Sequence, residues 1–175
     1  MTNLLFHDII NISKGKRRDV IKIGADVHAY LEKFNKETRQ WENANLYKKN
    51  SDGTFTLVNF YNGRNYDLFG KLAGVRGSED PMVYPRGLPD DLSPEVKEEF
   101  GDGLDWHSAT WYDMRELELL VKAGEGKVPC WDENDNMTTY DPVADFVEAA
   151  RVALDMQWIW VYNMNEVRVV MWFDS

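Results

Sequence analysis

The chain holds one cysteine, Cys130, so no internal disulfide can form and packing and hydrogen bonds must hold the fold. A lone thiol fits a reducing compartment. No apolar run approaches the ~20 residues of a membrane helix. Near the amino terminus apolar Leu4-Leu5-Phe6 precedes basic Lys14-Gly-Lys-Arg-Arg18, the reverse of the order in a secretory signal. A cytoplasmic protein is therefore expected. Positive charge is also scarce. Twenty Lys and Arg stand against thirty Asp and Glu, a net charge of −10. Broad binding to nucleic acid needs a basic surface, so that role is excluded. An acidic chain is soluble. An acidic face can also imitate a phosphate backbone and occupy a nucleic-acid-binding enzyme. No complete catalytic or cofactor motif is present, so no cofactor is expected. Asp132-Glu-Asn-Asp-Asn136 begins like a calcium loop, but Met137 stands at the glycine position and Val143 at the closing glutamate position. It reads as a hairpin turn. Internal repeats and low-complexity tracts are lacking.

Aromatic side chains are abundant, with seven Trp, eight Tyr and eight Phe. They fill a core or line a recognition surface. A chain of 175 residues is most simply one domain. Regular patterning begins at Gly24, so residues 1–23 read as an amino-terminal extension and 24–175 as a single domain.

Ala25, Val27, Ala29 and Leu31 alternate with Asp26, His28, Tyr30 and Glu32, the period of a strand. A second strand is expected from Trp41 to Tyr47. A third runs from Thr54 to Tyr61, after the turn Asn50-Ser-Asp-Gly53. These three read as an antiparallel meander. Tyr66, Phe69, Leu72 and Ala73 have helical spacing, with Asn62 or Asn65 as cap and Gly74 as stop. Ser93-Pro94 opens a short helix to Phe100. Ser108 to Tyr112 is extended. Asp113 and Glu116 have capping-box spacing and start a helix to Ala123. Val128 to Trp131 and Met137 to Tyr140 form a small hairpin. Asp141-Pro142 opens a helix whose apolar stripe is Val143, Phe146, Val147, Ala150, Ala153 and Leu154. Trp158 to Tyr162 and Glu166 to Phe173 read as a terminal hairpin around Asn163-Met-Asn165. The expected fold is α+β: an antiparallel sheet of meander plus hairpin, covered by helices on one face.

The stretch Tyr84-Pro-Arg-Gly-Leu-Pro89 to Asp105-Trp-His-Ser-Ala-Thr-Trp-Tyr112 concentrates prolines, an arginine, a histidine and tryptophans. The remaining chain reads as a scaffold presenting it. Candidate site residues fall into groups. Asp26, His28 and Tyr30 share one strand face, about 7 Å apart and too far for direct hydrogen bonds between neighbours. His107 and Ser108 lie beside Trp106 and Trp111. If His28 and His107 met in space, two imidazoles and a carboxylate would suit zinc. No metal-ligand spacing supports this. Arg64, Arg76 and Arg86, with Arg168 on a late strand, are cations in an acidic chain. Their forks suit phosphate or carboxylate, and Arg64 with Tyr66 sits at a helix start that favours anions. The competing reading pairs each arginine with a local acid such as Asp67, Asp90 or Asp91. Trp158, Trp160 and Tyr162, with Arg168 and Trp172 on the next strand, form a binding platform, a homo-oligomer interface or core packed against the long helix.

The blocks Gly24-Ala-Asp-Val-His-Ala-Tyr-Leu-Glu32, Arg64-Asn-Tyr-Asp-Leu-Phe-Gly-Lys-Leu-Ala-Gly-Val-Arg76, Pro85-Arg-Gly-Leu-Pro89 and His107-Ser-Ala-Thr-Trp111 resemble blocks in small phage and prophage proteins of Gram-positive bacteria. The resemblance runs from Gly24 to the end, and residues 1–23 depart from it. It implies a genomic context inside a host bacterial cell, not a reaction. The expectation is an accessory protein that inhibits host antiphage defence by binding. It would sequester a phosphorylated, nucleotide-like ligand or block a host protein. Two alternatives are an acidic mimic of nucleic acid, acting on an enzyme such as a CRISPR effector, and a small metal-dependent hydrolase.

Overall fold

The structure is a computed structural model that describes residues 24–77, 81–157 and 163–174. The extension at 1–23 and the strand expected at 158–162, with Trp158, Trp160 and Tyr162, lie outside the described residues.

Four antiparallel strands form the main sheet: β1 (Asp26–Asn35), β2 (Gln40–Asn43), β5 (His107–Asp113) and β8 (Val167–Asp174), in the order β2-β1-β8-β5. Strands β3 (Tyr47–Lys49) and β4 (Phe55–Leu57) pair separately, as do β6 (Val128–Trp131) and β7 (Met137–Tyr140). The helices are α1 (Tyr66–Ala73), α2 (Pro94–Phe100), α3 (Met114–Ala123) and α4 (Pro142–Met156). The fold is thus a mixed α+β domain with an antiparallel sheet.

Each helix starts where local chemistry dictates. Asn65, Ser93, Asp113 and Asp141 accept hydrogen bonds from the free amides of the first turns of α1, α2, α3 and α4. The box at Asp113 is only half made. Asp113 accepts from Glu116 N at 2.7 Å, but the Glu116 carboxylate turns away to Arg86. Inside α1, Gly70 crosses Gly77 so closely that a Cβ on it would lie 2.5 Å from Gly77 Cα.

Both faces of the sheet are covered, which corrects the one-faced expectation. Val27, Ala29 and Leu31 of β1 and Val169, Met171 and Phe173 of β8 pack with α1, α3 and α4. The opposite positions, Tyr30, Val170 and Trp172, pack with Val96 of α2, Leu57 of β4 and the aromatic residues Trp106 and Trp111. Trp172 therefore faces α2 and not the long helix α4. The two edges of β8 are taken by β1 and β5. That places the expected hairpin's second strand at the centre of the sheet.

The meander is also corrected. The stretch 41–47 breaks because Asn45 is buried and does a strand's work with its side chain. Its Oδ1 accepts from Leu31 N (2.8 Å) and its Nδ2 donates to Leu31 O (2.9 Å). Asn59 repeats the device two residues earlier on β1, accepting from Ala29 N (3.1 Å) and donating to Val27 O (2.6 Å). Two amide side chains thus satisfy the β1 edge where the rest of the second strand was expected, and the third strand, β4, pairs with β3 in a hairpin separate from the main sheet.

Candidate functional site

The named residues collect at two ends of the sheet. Asp26 is opposite Asp174 at one end of the β1–β8 ladder, and Glu32 is opposite Arg168 near the other. Six residues of strand separate Asp174 from Arg168, roughly 20 Å. They therefore line no common recess.

At the first end, Arg64 precedes α1 and forks onto Asp26, with Nε to Oδ1 at 2.5 Å and Nη2 to Oδ2 at 2.7 Å. This pair is half exposed, with side-chain exposures of 44% and 52%. The bond to Asp26 raises the Arg64 pKa further above its ordinary value. Tyr66 lies nearby, exposed, with its ring edge-on to Phe69 at 5.8 Å. His28 Nε2 donates to Asp174 Oδ2 at 3.3 Å, and Asp174 Oδ1 also accepts from Asp26 N at 3.1 Å. The His28 ring lies 4.6 Å from Trp106 and 5.9 Å from Trp172, stacked nearly parallel to the latter. Tyr30 is buried one step further in, against Trp172. Burial and then the Glu99 carboxylate push its hydroxyl well above the usual tyrosine range.

His107 and Ser108 sit at the same end but on the other face. His107 is opposite Phe173 and stacks on it at 6.0 Å, and Phe173 belongs to the α1/α3/α4 layer. His28 faces the α2 layer through Trp172. The two histidines therefore do not meet, which removes the zinc geometry. Among the described residues no group of three His, Cys, Asp or Glu side chains can hold a metal. His107 Nδ1 and Ser108 Oγ share a hydrogen bond of 3.0 Å, with Ser108 at φ 51° where the β5 register shifts. A serine–imidazole pair lies on one face and a carboxylate–imidazole pair on the other. Nucleophilic catalysis needs serine, imidazole and orienting acid in one chain of contacts, and they are divided here.

At the second end Arg168 is buried. Its Nε donates to Glu32 Oε2 (2.7 Å), and its Nη atoms donate to Asp91 Oδ1 (2.7 Å) and Asp91 O (3.0 Å). The guanidinium lies over Trp41 at 4.0 Å and Trp111 at 6.0 Å. Arg86 forks onto Glu116, donates to Trp111 O at 3.3 Å, and lies over the Trp111 and Tyr112 rings at 5.3 and 5.2 Å. The Glu116 bond raises its pKa. Trp111 is thus flanked by two arginines, each held by acids. Arg76, past the end of α1, makes no hydrogen bond, ion pair or ring contact with either group among the described residues.

Sequence reasoning named Asp91 as an acid for the arginines, and it pairs with Arg168; it missed Asp174, Glu116, Trp41 and the partner role of Glu32. Only Glu32 left a signal, as the fourth polar position on the alternating face of β1.

A scan of protein-family models gives no match, and neither a curated protein nor a solved structure matches this chain. Among the described residues no helix is long and apolar enough to cross a membrane.

Proposed function

We propose that the chain is an accessory protein of the phage and prophage type, working in the host cytoplasm, that inhibits a host defence protein by binding to its surface. The observation that carries this reading is the outward face of the β6–β7 hairpin. Trp131 and Met137 are opposite each other on the two strands and are 71% and 73% exposed. Pro129 and Thr139 continue that face, while Val128 is buried on the other. A tryptophan held out on a short hairpin has the large contact area that dominates binding energy at interfaces.

Arg64, Arg86 and Arg168 each carry a carboxylate partner already, which weakens the nucleotide-sequestering version and favours the blocking one. The block resemblance supplies the phage context. The test expresses the protein in a bacterium with an active defence system and scores phage plating. Restored plating with wild type, lost in the Trp131→Ser/Met137→Ser double variant at unchanged circular dichroism, supports the proposal. Equal plating from both refutes it.

The acidic-mimic reading has its own observation. Asp90, Asp91, Glu95, Glu98, Glu99, Asp102 and Asp105 surround α2 with only Lys97 among them. It requires affinity for the partner that falls steeply with salt, whereas docking through Trp131 and Met137 is nearly salt-independent.

A further inference from the structure

A groove of ≈ 260 Å³ runs between the last two turns of α4 and the chain around Asn45 and Asn59. Its walls are apolar, with Leu46, Val58 and Phe60 on one side and Val152, Ala153 and Met156 on the other. Along α4, Ala149, Val152, Ala153 and Met156 recur at helical spacing, a second stripe beside the one that faces the sheet. Val152 and Met156 are 49% and 62% exposed. The polar groups of the groove are already met. Asn45 and Asn59 bond the β1 backbone, and Gln157 Nε2 donates to Ala44 O. What is left selects an apolar occupant.

The chain itself carries one. Leu4, Leu5, Phe6, Ile9, Ile10 and Ile12 all precede the described residues. Leu5, Phe6, Ile9 and Ile10 have the spacing of one helical face. Twelve residues separate Ile12 from Gly24, enough chain to span about 40 Å. The groove is within that reach. Asn59 in its wall bonds Val27 O and Ala29 N, and Val27 is only about 10 Å of chain from Gly24. Charge agrees. Residues 1–23 hold five Lys and Arg against two Asp, whereas the rest of the chain holds fifteen against twenty-eight. The basic cluster Lys14-Gly-Lys-Arg-Arg18 lies between the apolar residues and Gly24. On α4 the exposed acids Asp145 and Glu148 stand two turns and one turn before Val152. The neighbouring cations are Lys122 and Arg151, and Arg151 is already held by Glu118 at 2.7 Å.

We infer that this groove is the docking site of the chain's own segment Leu4–Ile12, with Lys14 to Arg18 passing over Asp145 and Glu148. A tethered segment competes at an effective concentration on the order of millimolar, so a small apolar contact holds it. Docking takes apolar side chains of the segment and of α4 out of water together. The site does not use the Trp131 hairpin and stands whether or not the blocking role does.

Paramagnetic broadening in the full chain tests this. A nitroxide is attached at Asp155→Cys in a Cys130→Ser background, on an exposed position beside Met156. The nitrogen-15-labelled, spin-labelled chain is diluted into an excess of plain chain, so that only contacts within one molecule are read. The amide signals of residues 4–12 lose most of their intensity. Val152→Ser with Met156→Ser restores that intensity several-fold at an unchanged urea midpoint, because both side chains are exposed. Broadening that persists in the double variant overturns the inference. So does broadening seen only when the nitroxide is on a second, unlabelled chain, since the occupant is then another copy. Sharp signals throughout residues 4–12 mean that residues 158–162 or a separate partner cover the groove, and overturn it too.

Discussion

Arg168 and Glu32 stand directly opposite each other on β8 and β1, 3% and 0% exposed, with Nε and Oε2 2.7 Å apart. Glu32 Oε1 accepts from Ser93 N at 2.6 Å, so one carboxylate ties the central strand pair to the start of α2. Asp91 and Trp41 complete the cage around the guanidinium. Breaking a buried pair from one side strands the other charge. Arg168→Ala is therefore expected to cost about 3–5 kcal/mol in urea unfolding. Arg168→Met combined with Glu32→Gln keeps an acceptor for Ser93 N and strands no charge, so it costs less than Arg168→Ala alone.

The ion pair at the opposite end of β1 behaves differently. Arg64 and Asp26 are half exposed, and water screens them. Asp26→Asn is expected to leave the urea midpoint unchanged, within the error of the measurement. A large loss there requires a structural role for the fork that its exposure does not support.

Gly70 is a packing requirement. Gly70→Ala puts a methyl against the Gly77 backbone, which cannot rotate away as a side chain would. Overpacking of this kind costs about 1–3 kcal/mol, read as a lowered midpoint with the denaturant slope unchanged.

Alkaline pH tests the hydrogen-bonded phenols of Tyr112 and Tyr140. Burial pushes the Tyr112 hydroxyl up to about 12, and it donates to Leu72 O at 2.6 Å. Burial and then Asp67 push Tyr140 to about 12. In the unfolded chain both ionise near about 10. The folded state holds these protons longer, so their stabilisation is complete below about pH 10 and is lost as pH rises from there through about 12. Spectrophotometric titration should show ordinary tyrosines ionising first, with Tyr112 and Tyr140 following about two units later. Tyr112→Phe removes its share of that dependence and costs about 0.5–1.5 kcal/mol for the lost hydrogen bond.

Much of the local structure was legible because it is written within a few residues. A cap is a side chain bonded to an amide two or three positions on, so Asn65, Ser93, Asp113 and Asp141 announce their helices. The alternation of β1 and the apolar stripe of α4 are equally local. The breaks at Asn45 and Asn59 were not legible. An asparagine in a strand-like stretch gives no sign that its amide will replace a neighbouring strand.

The sequence by itself determined the elements, their caps, the acidic balance and the supply of aromatic residues. Tertiary structure alone decided that β8 lies between β1 and β5, and that His28 and His107 fall on opposite faces. It also decided that Arg168 meets acids 136 and 77 positions away. The reason is physical: a hydrogen bond between near neighbours is fixed by backbone geometry, whereas the partner of a buried charge depends on which distant surfaces pack together to exclude water.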